Sequence, residues 1–172
     1  SFPLHQHFHM QSVLPSFSLK DKAILLTGGT GLFGRGLTAA IAEAGATLII
    51  ASRNADKLRA VADEETARGH RVFAESFDQG DEASVSALRA RIEDRLGVPC
   101  GVVNNSVLRP MKGANGTVAQ FEESMRVNAT GLMLMHRIFG EAMAGAGRGS
   151  IVNTGSIQGM IGPSYELYEG TN

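Results

Sequence analysis

The residues best suited to chemistry lie early in the chain, in the run Thr27-Gly28-Gly29-Thr30-Gly31-Leu32-Phe33-Gly34. Gly29, Gly31 and Gly34 keep a G-x-G-x-x-G spacing. Without side chains the backbone turns sharply and lets a pyrophosphate approach, while the N–H groups and dipole of a following helix face its charge. An NTPase-type phosphate loop would need Lys-Ser/Thr after its last glycine, and Arg35-Gly36 stands there instead. The adenosine ribose should meet the end of the next strand. An acidic residue there would bond the ribose hydroxyls and favour NAD(H), but the sequence carries Ser52-Arg53. A hydroxyl and a guanidinium both receive a 2′-phosphate, so NADP(H) is expected in preference to NAD(H).

Alternating strand and helix patterns must position these groups. Ala23–Thr27 is a continuous apolar run ending in glycines, as in a strand buried on both faces. A helix is expected over Gly34–Ala44, with Leu37, Ile41 and Ala44 on one face and Gly45 as its stop. Thr47–Ala51 reads as a second strand, and Asn54 as the cap of a helix reaching about Arg68. Arg71–Glu75 is a third strand, followed by a helix from Asp81 that Gly97 closes. Gly101–Asn104 is the fourth strand and Ser150–Asn153 the fifth. Between them Thr117 and Gln120 have capping-box spacing and open one long helix. Its stripe Phe121, Met125, Leu132, Met135, Ile138 and Met143 is expected to pack on the sheet. Asn128 within it is locally unfavourable, which points to a kink or a functional role. Five strands alternating with four helices predict an α/β fold: a doubly wound parallel sheet, Rossmann-type, in three αβα layers.

From about Leu19 to Gly159 these residues resemble the short-chain dehydrogenases/reductases. Thr27-Gly28 with Gly31 and Gly34 is similar to the family's glycine motif, in a T-G-x-x-G-x-x-G spacing commoner in the extended, sugar-nucleotide-modifying branch. Asp78 matches the aspartate that contacts adenine. Asn104-Asn105-Ser106-Val107 resembles the N-N-A-G motif, departing from it at the last two positions. Asn128 matches the asparagine of the proton relay. Asn153-Thr154-Gly155-Ser156 resembles the segment carrying the catalytic serine, retained as Ser156 although Gly155 replaces a second serine. Without the family, Asn104 and Asn105 also read as strand-end ties, Asp78 as a turn cap and Ser156 as a loop hydroxyl.

The resemblance implies hydride transfer between nicotinamide and a small carbonyl or alcohol substrate, with a tyrosine as proton donor and a lysine four positions later. These residues contain no Y-x-x-x-K: Tyr165 is followed by Glu169 and Tyr168 by Asn172. A carboxylate there would raise a tyrosine's pKa. Gly162–Asn172 is therefore expected to be a loop inserted before the motif, with residues 19–172 a dinucleotide-binding domain whose C-terminal part is missing and which is inactive alone. Two other readings stand beside the reductase: a sugar-nucleotide dehydratase or epimerase, and a non-catalytic dinucleotide-binding module. The family also implies a homo-oligomer, dimer or tetramer, with the long helix packed on its symmetry mate.

Composition narrows the partners. Sixteen basic against 17 acidic residues give a net charge of −1 with no basic stripe, which disfavours nucleic acid. The single cysteine, Cys100, excludes an internal disulfide and a Cys-rich metal site, and reads as a small buried hydrophobe. No apolar stretch reaches the roughly 20 residues of a membrane span, and a cytoplasmic location is expected. Residues 1–18, with alternating His5, His7 and His9, read as a leader without assigned function, and Met10 as a native start.

Overall fold

A computed structural model describes residues 14–111, 115–162, 164 and 166. The histidines and Met10 of the leader, and both tyrosines, lie outside the described residues. Leu14–Phe17 form a short 3₁₀ turn, and the chain then enters β1 (Ala23–Thr27). There follow α1 (Leu32–Glu43), β2 (Thr47–Ser52), α2 (Ala55–Ala67), β3 (Arg71–Ser76), α3 (Glu82–Leu96) and β4 (Gly101–Asn104). After these come α4 (Val118–Met125), α5 (Gly131–Gly145) and β5 (Ser150–Asn153).

All pairings are parallel, in the order β3-β2-β1-β4-β5. The order reverses between β1 and β4, and in doubly wound sheets a ligand crevice opens at that point beyond the strand C-termini. Successive strand residues point to opposite faces, which explains the unbroken apolar runs. Ile24, Leu26, Leu48 and Ile50 pack with Leu58, Val61 and Ala62 under α1 and α2. Leu25, Ile49 and Val102 pack with Val85, Leu88, Met135 and Phe139 under α3 and α5. The three-layer arrangement follows from burying both faces. Cys100 is half-buried beside the first of these cores rather than within it.

Three of the predicted helices start with side-chain caps: Asn54 accepts from Lys57 N at 2.9 Å, Asp81 from Ala83 N at 3.0 Å, and Thr117 with Gln120 forms the reciprocal box. The single long helix, however, is broken. Over Arg126–Thr130 it widens into a π turn, in which Gly131 N–H bonds Arg126 O, five residues back. An α-helix would have given that N–H to Val127 O; instead Val127 O accepts from Gln79 Nε2 at 3.1 Å. Gly131 lets the two segments meet, since a Cβ there would lie 2.6 Å from Gln79 O. The extra residue shifts the helical phase. Met135, Ile138 and Met143 are buried as expected and Leu132 is half-buried, but no residue of α4 is buried, and Phe121 and Met125 are exposed.

Candidate functional site

A cleft of about 970 Å³ lies at the C-terminal end of the sheet, where the strand order reverses. Its walls include Gly28, Thr30, Gly31, Leu32, Phe33, Gly34, Ser52, Arg53, Asp78, Asn105, Ser106 and Ser156. Thr27, Gly29, Asn104 and Asn128, also expected at the site, do not line it; they act from behind.

The glycine turn is shaped by close approach. Gly28 has φ +69°, and a Cβ there would meet Ser106 Cα at 3.0 Å. A Cβ on Gly34 would overlap the Gly28 carbonyl, with Gly28 C 2.9 Å away. Gly31 is the N-cap of α1 and supplies no side-chain cap, whereas Asn54, Asp81 and Thr117 do so for α2 to α4. The first N–H groups of α1 are therefore left for an anion. Arg35 ion-pairs with Glu64 on α2 and takes no part in the cleft wall.

Thr27 ties the floor together. Its buried Oγ1 accepts from Asn105 N and Ser106 N, each at 3.0 Å, and the Asn105 amide reaches back to Gly28 O at 3.3 Å. Asn104 Nδ2 donates to Asn153 Oδ1 at 3.0 Å, a strand-end tie between β4 and β5. His136 Nε2 lies 2.9 Å from that same oxygen. Asn128 is committed too: Leu108 N donates to its Oδ1 at 2.8 Å, and its Nδ2 donates to Leu108 O at 2.7 Å and Ser124 Oγ at 3.1 Å.

At the far wall, Ser52 Oγ is buried without a hydrogen-bond partner, and the Arg53 side chain makes no hydrogen bond or ion pair among the described residues. Asp78 Oδ1 accepts from Gly80 N at 2.9 Å and Oδ2 from Arg126 Nη2 at 3.1 Å. Burial pushes the Asp78 carboxyl up, but the Gly80 N–H and the Arg126 and Arg53 cations outweigh it and hold it below its ordinary value. Hydrogen bonds to Glu123 and Asp78 push the Arg126 guanidinium up in turn, and Arg126 holds Glu123 low. An uncapped helix start, an orphaned buried hydroxyl and an uncommitted guanidinium together fit a phosphate-rich dinucleotide.

Sequence reasoning missed Gln79, Leu108 and Arg109, which also line the cleft. A signal existed: each lies shortly after a strand C-terminus, where this fold places its ligands. Among the described residues no cluster of His, Cys, Asp or Glu could hold a metal, and no helix is long and apolar enough to cross a membrane.

The fold is Rossmann-type and the site suits a nucleotide, and comparison with known proteins narrows this. Residues 22–171 match the family described as short chain dehydrogenase, and the chain belongs to the short-chain dehydrogenase/reductase family. It is 32% identical to the 2,5-dichloro-2,5-cyclohexadiene-1,4-diol dehydrogenase of Sphingobium indicum, covering 88% of this chain and 61% of that protein. With the galactitol 2-dehydrogenase of Rhizobium johnstonii it shares 33% identity over 84% of this chain and 57% of the relative. Among solved structures, a gluconate 5-dehydrogenase from Burkholderia cenocepacia, in complex with NADP and tartrate, superposes with a TM-score of 0.79. That match is 28% identical and covers 88% of this chain and 60% of the other. The chain thus spans about three-fifths of the length of these relatives.

Proposed function

We propose that the chain is the cofactor-binding portion of an NADP(H)-preferring oxidoreductase that transfers hydride between nicotinamide and a small carbonyl or alcohol substrate. The observation that carries this reading is the end of β2, where the orphaned Ser52 Oγ and the Arg53 side chain, without a hydrogen bond or ion pair among the described residues, both line the cleft. They would hold the 2′-phosphate by charge-assisted hydrogen bonds. The glycine turn and the start of α1 would hold the pyrophosphate, with Asp78 at the adenine and Asn105 and Ser106 beneath. When bound, the nicotinamide supplies the hydride donor or acceptor.

Ser156 would hold the substrate oxygen by its hydroxyl. Asn128 would act through position, because both its amide protons are already donated; a relay through it would use its main chain. The exposed Val118, Phe121 and Met125, at i, i+3 and i+7 of α4, support a homo-oligomer that covers this face.

The test compares NADPH and NADH affinity in the wild type and in Arg53→Ala. Wild type should prefer NADPH, and the variant should lose on the order of 10- to 100-fold of NADPH affinity with little change for NADH. A preference for NADPH that survives the substitution would remove Arg53 from the 2′-phosphate site.

A further inference from the structure

Among the described residues the cleft wall carries two arginines and one carboxylate, and only part of that set is used by the cofactor reading. Arg53 and Asp78 stand at the ends of β2 and β3, on the adenosine side of β1. Arg109 stands five residues past Asn104, the last residue of β4, on the other side of β1. Ser156 stands three residues past Asn153, the last residue of the adjacent β5, and Asn104 and Asn153 are register partners. Arg109 and Ser156 thus follow the neighbouring strands β4 and β5, whereas Arg53 follows β2 across β1.

The backbone that presents Arg109 is fixed on both sides. Leu108 is held at its N–H and its carbonyl by the one Asn128 side chain, at 2.8 and 2.7 Å. On the other side, Pro110 O accepts from Gln120 Nε2 at 3.2 Å. Pro110 also restricts the backbone of Arg109 itself. The side chain so presented is exposed on the cleft wall and makes no hydrogen bond or ion pair among the described residues. Asp78, the one carboxylate on the wall among the described residues, is already held by Gly80 and Arg126 on the adenosine side. Among the described residues this preset guanidinium has no carboxylate partner, and it shares the cleft wall with Ser156.

We infer that Arg109 is the substrate-anchoring residue and that the substrate is a carbonyl compound, or its alcohol, bearing a carboxylate. The planar guanidinium takes a carboxylate through two parallel N–H···O bonds, which fixes the orientation of the carbonyl as well as its affinity. Asn128 then has a definite task at this site: by holding Leu108 it sets where Arg109 stands. This inference rests on the oxidoreductase reading above.

The experiment uses the complete protein with 4-oxopentanoate and its uncharged methyl ester as paired probes. For wild type and Arg109→Gln it measures turnover with NADPH, the shift in melting temperature of the NADPH-loaded protein with each probe, and the Kd of NADPH. Wild type should favour the acid on the order of 30-fold in kcat/KM or, if turnover is slow, show a melting shift with the acid alone. Arg109→Gln should erase that difference, mainly through KM, while the NADPH Kd moves less than twofold. Equal response to acid and ester in the wild type, or no response to either, overturns the inference, as does a preference that survives the substitution. A loss of NADPH affinity in Arg109→Gln beyond fivefold overturns it as well, by making Arg109 a cofactor contact. If the wild type bound NADPH but ignored the acid, only this inference would fall; if it bound no NADPH, the functional reading would fall with it.

Discussion

Two parts of one cleft are built in opposite ways. Under β1 the floor is closed: Thr27 is buried, its hydroxyl holds two N–H groups of the β4 loop, and the Asn105 amide returns to Gly28. After β5 the rim is open: Thr154, Gly155, Ser156 and Ile157 are all exposed, and among the described residues β5 pairs with β4 alone. The backbone link between the two is Thr154 N to Asn104 O, at 2.9 Å. The part proposed to receive the dinucleotide is thus preset by packing, whereas the part bearing Ser156 faces solvent. On the proposed function, cofactor binding would draw on the hydrogen-bonded floor and substrate activation on the exposed rim.

The strongest way to break that contrast is Gly34→Ala. The added Cβ would overlap the Gly28 carbonyl, which is backbone and has no rotamer to escape into. The turn must open and the start of α1 must move, so NADPH affinity should fall more than about 100-fold. Fluorescence titration measures this, with circular dichroism confirming that the variant is folded. Affinity within threefold of wild type would show that the floor yields as readily as the rim.

Next in size is Thr27→Val, which keeps shape and removes the acceptor of Asn105 N and Ser106 N. Leaving two partly buried N–H groups unpaired should cost about 2–4 kcal/mol in urea denaturation. Val152→Thr on β5 is the matched control: Val152 is 54% exposed, so the change should stay within about 0.5 kcal/mol. Similar losses for the two would erase the distinction between floor and rim.

The contrast also explains which features were legible in the sequence. Buried strands declare themselves, because a segment such as Leu48-Ile49-Ile50 must be apolar on both faces. The glycine turn is equally plain, since Gly28 and Gly34 answer to steric limits that no other residue meets. The π turn was not, because helical periodicity reads a stripe from Phe121 to Met143 without sensing one residue of added phase. Its cause is tertiary: the Gln79 amide takes Val127 O, and that contact spans 48 positions. Local signals were present in Asn128 and Gly131, yet neither reveals its partner. Arg109 was overlooked for the converse reason, because an arginine in a loop looks like solvated surface until Leu108 and Pro110 are seen to be held.

The smallest expected effect concerns the wall between floor and rim, where Arg126 joins Asp78 on the cleft to Glu123 on α4. Both carboxyls are held below their ordinary values in the folded protein: Glu123 through Arg126, and Asp78 against the opposing push of burial through Gly80, Arg126 and Arg53. A carboxylate with a depressed folded pKa contributes stability that is complete above its unfolded value and is lost as pH falls through the folded one. For Asp78 the ordinary value is 3.8, so the contribution is whole at pH 7 and begins to be lost only as pH falls below about 4. Arg126→Gln removes the cation and lets burial carry Asp78 upward. The variant should therefore be slightly less stable than wild type at pH 7, and the gap should narrow as pH falls below about 4. Solvent screens these half-exposed side chains, so the urea midpoint should shift less than for Thr27→Val at any pH. A gap that widened on acidification would mean that Arg126 burdens Asp78 rather than steadying it, and the adenosine wall would then be the strained part of the cleft.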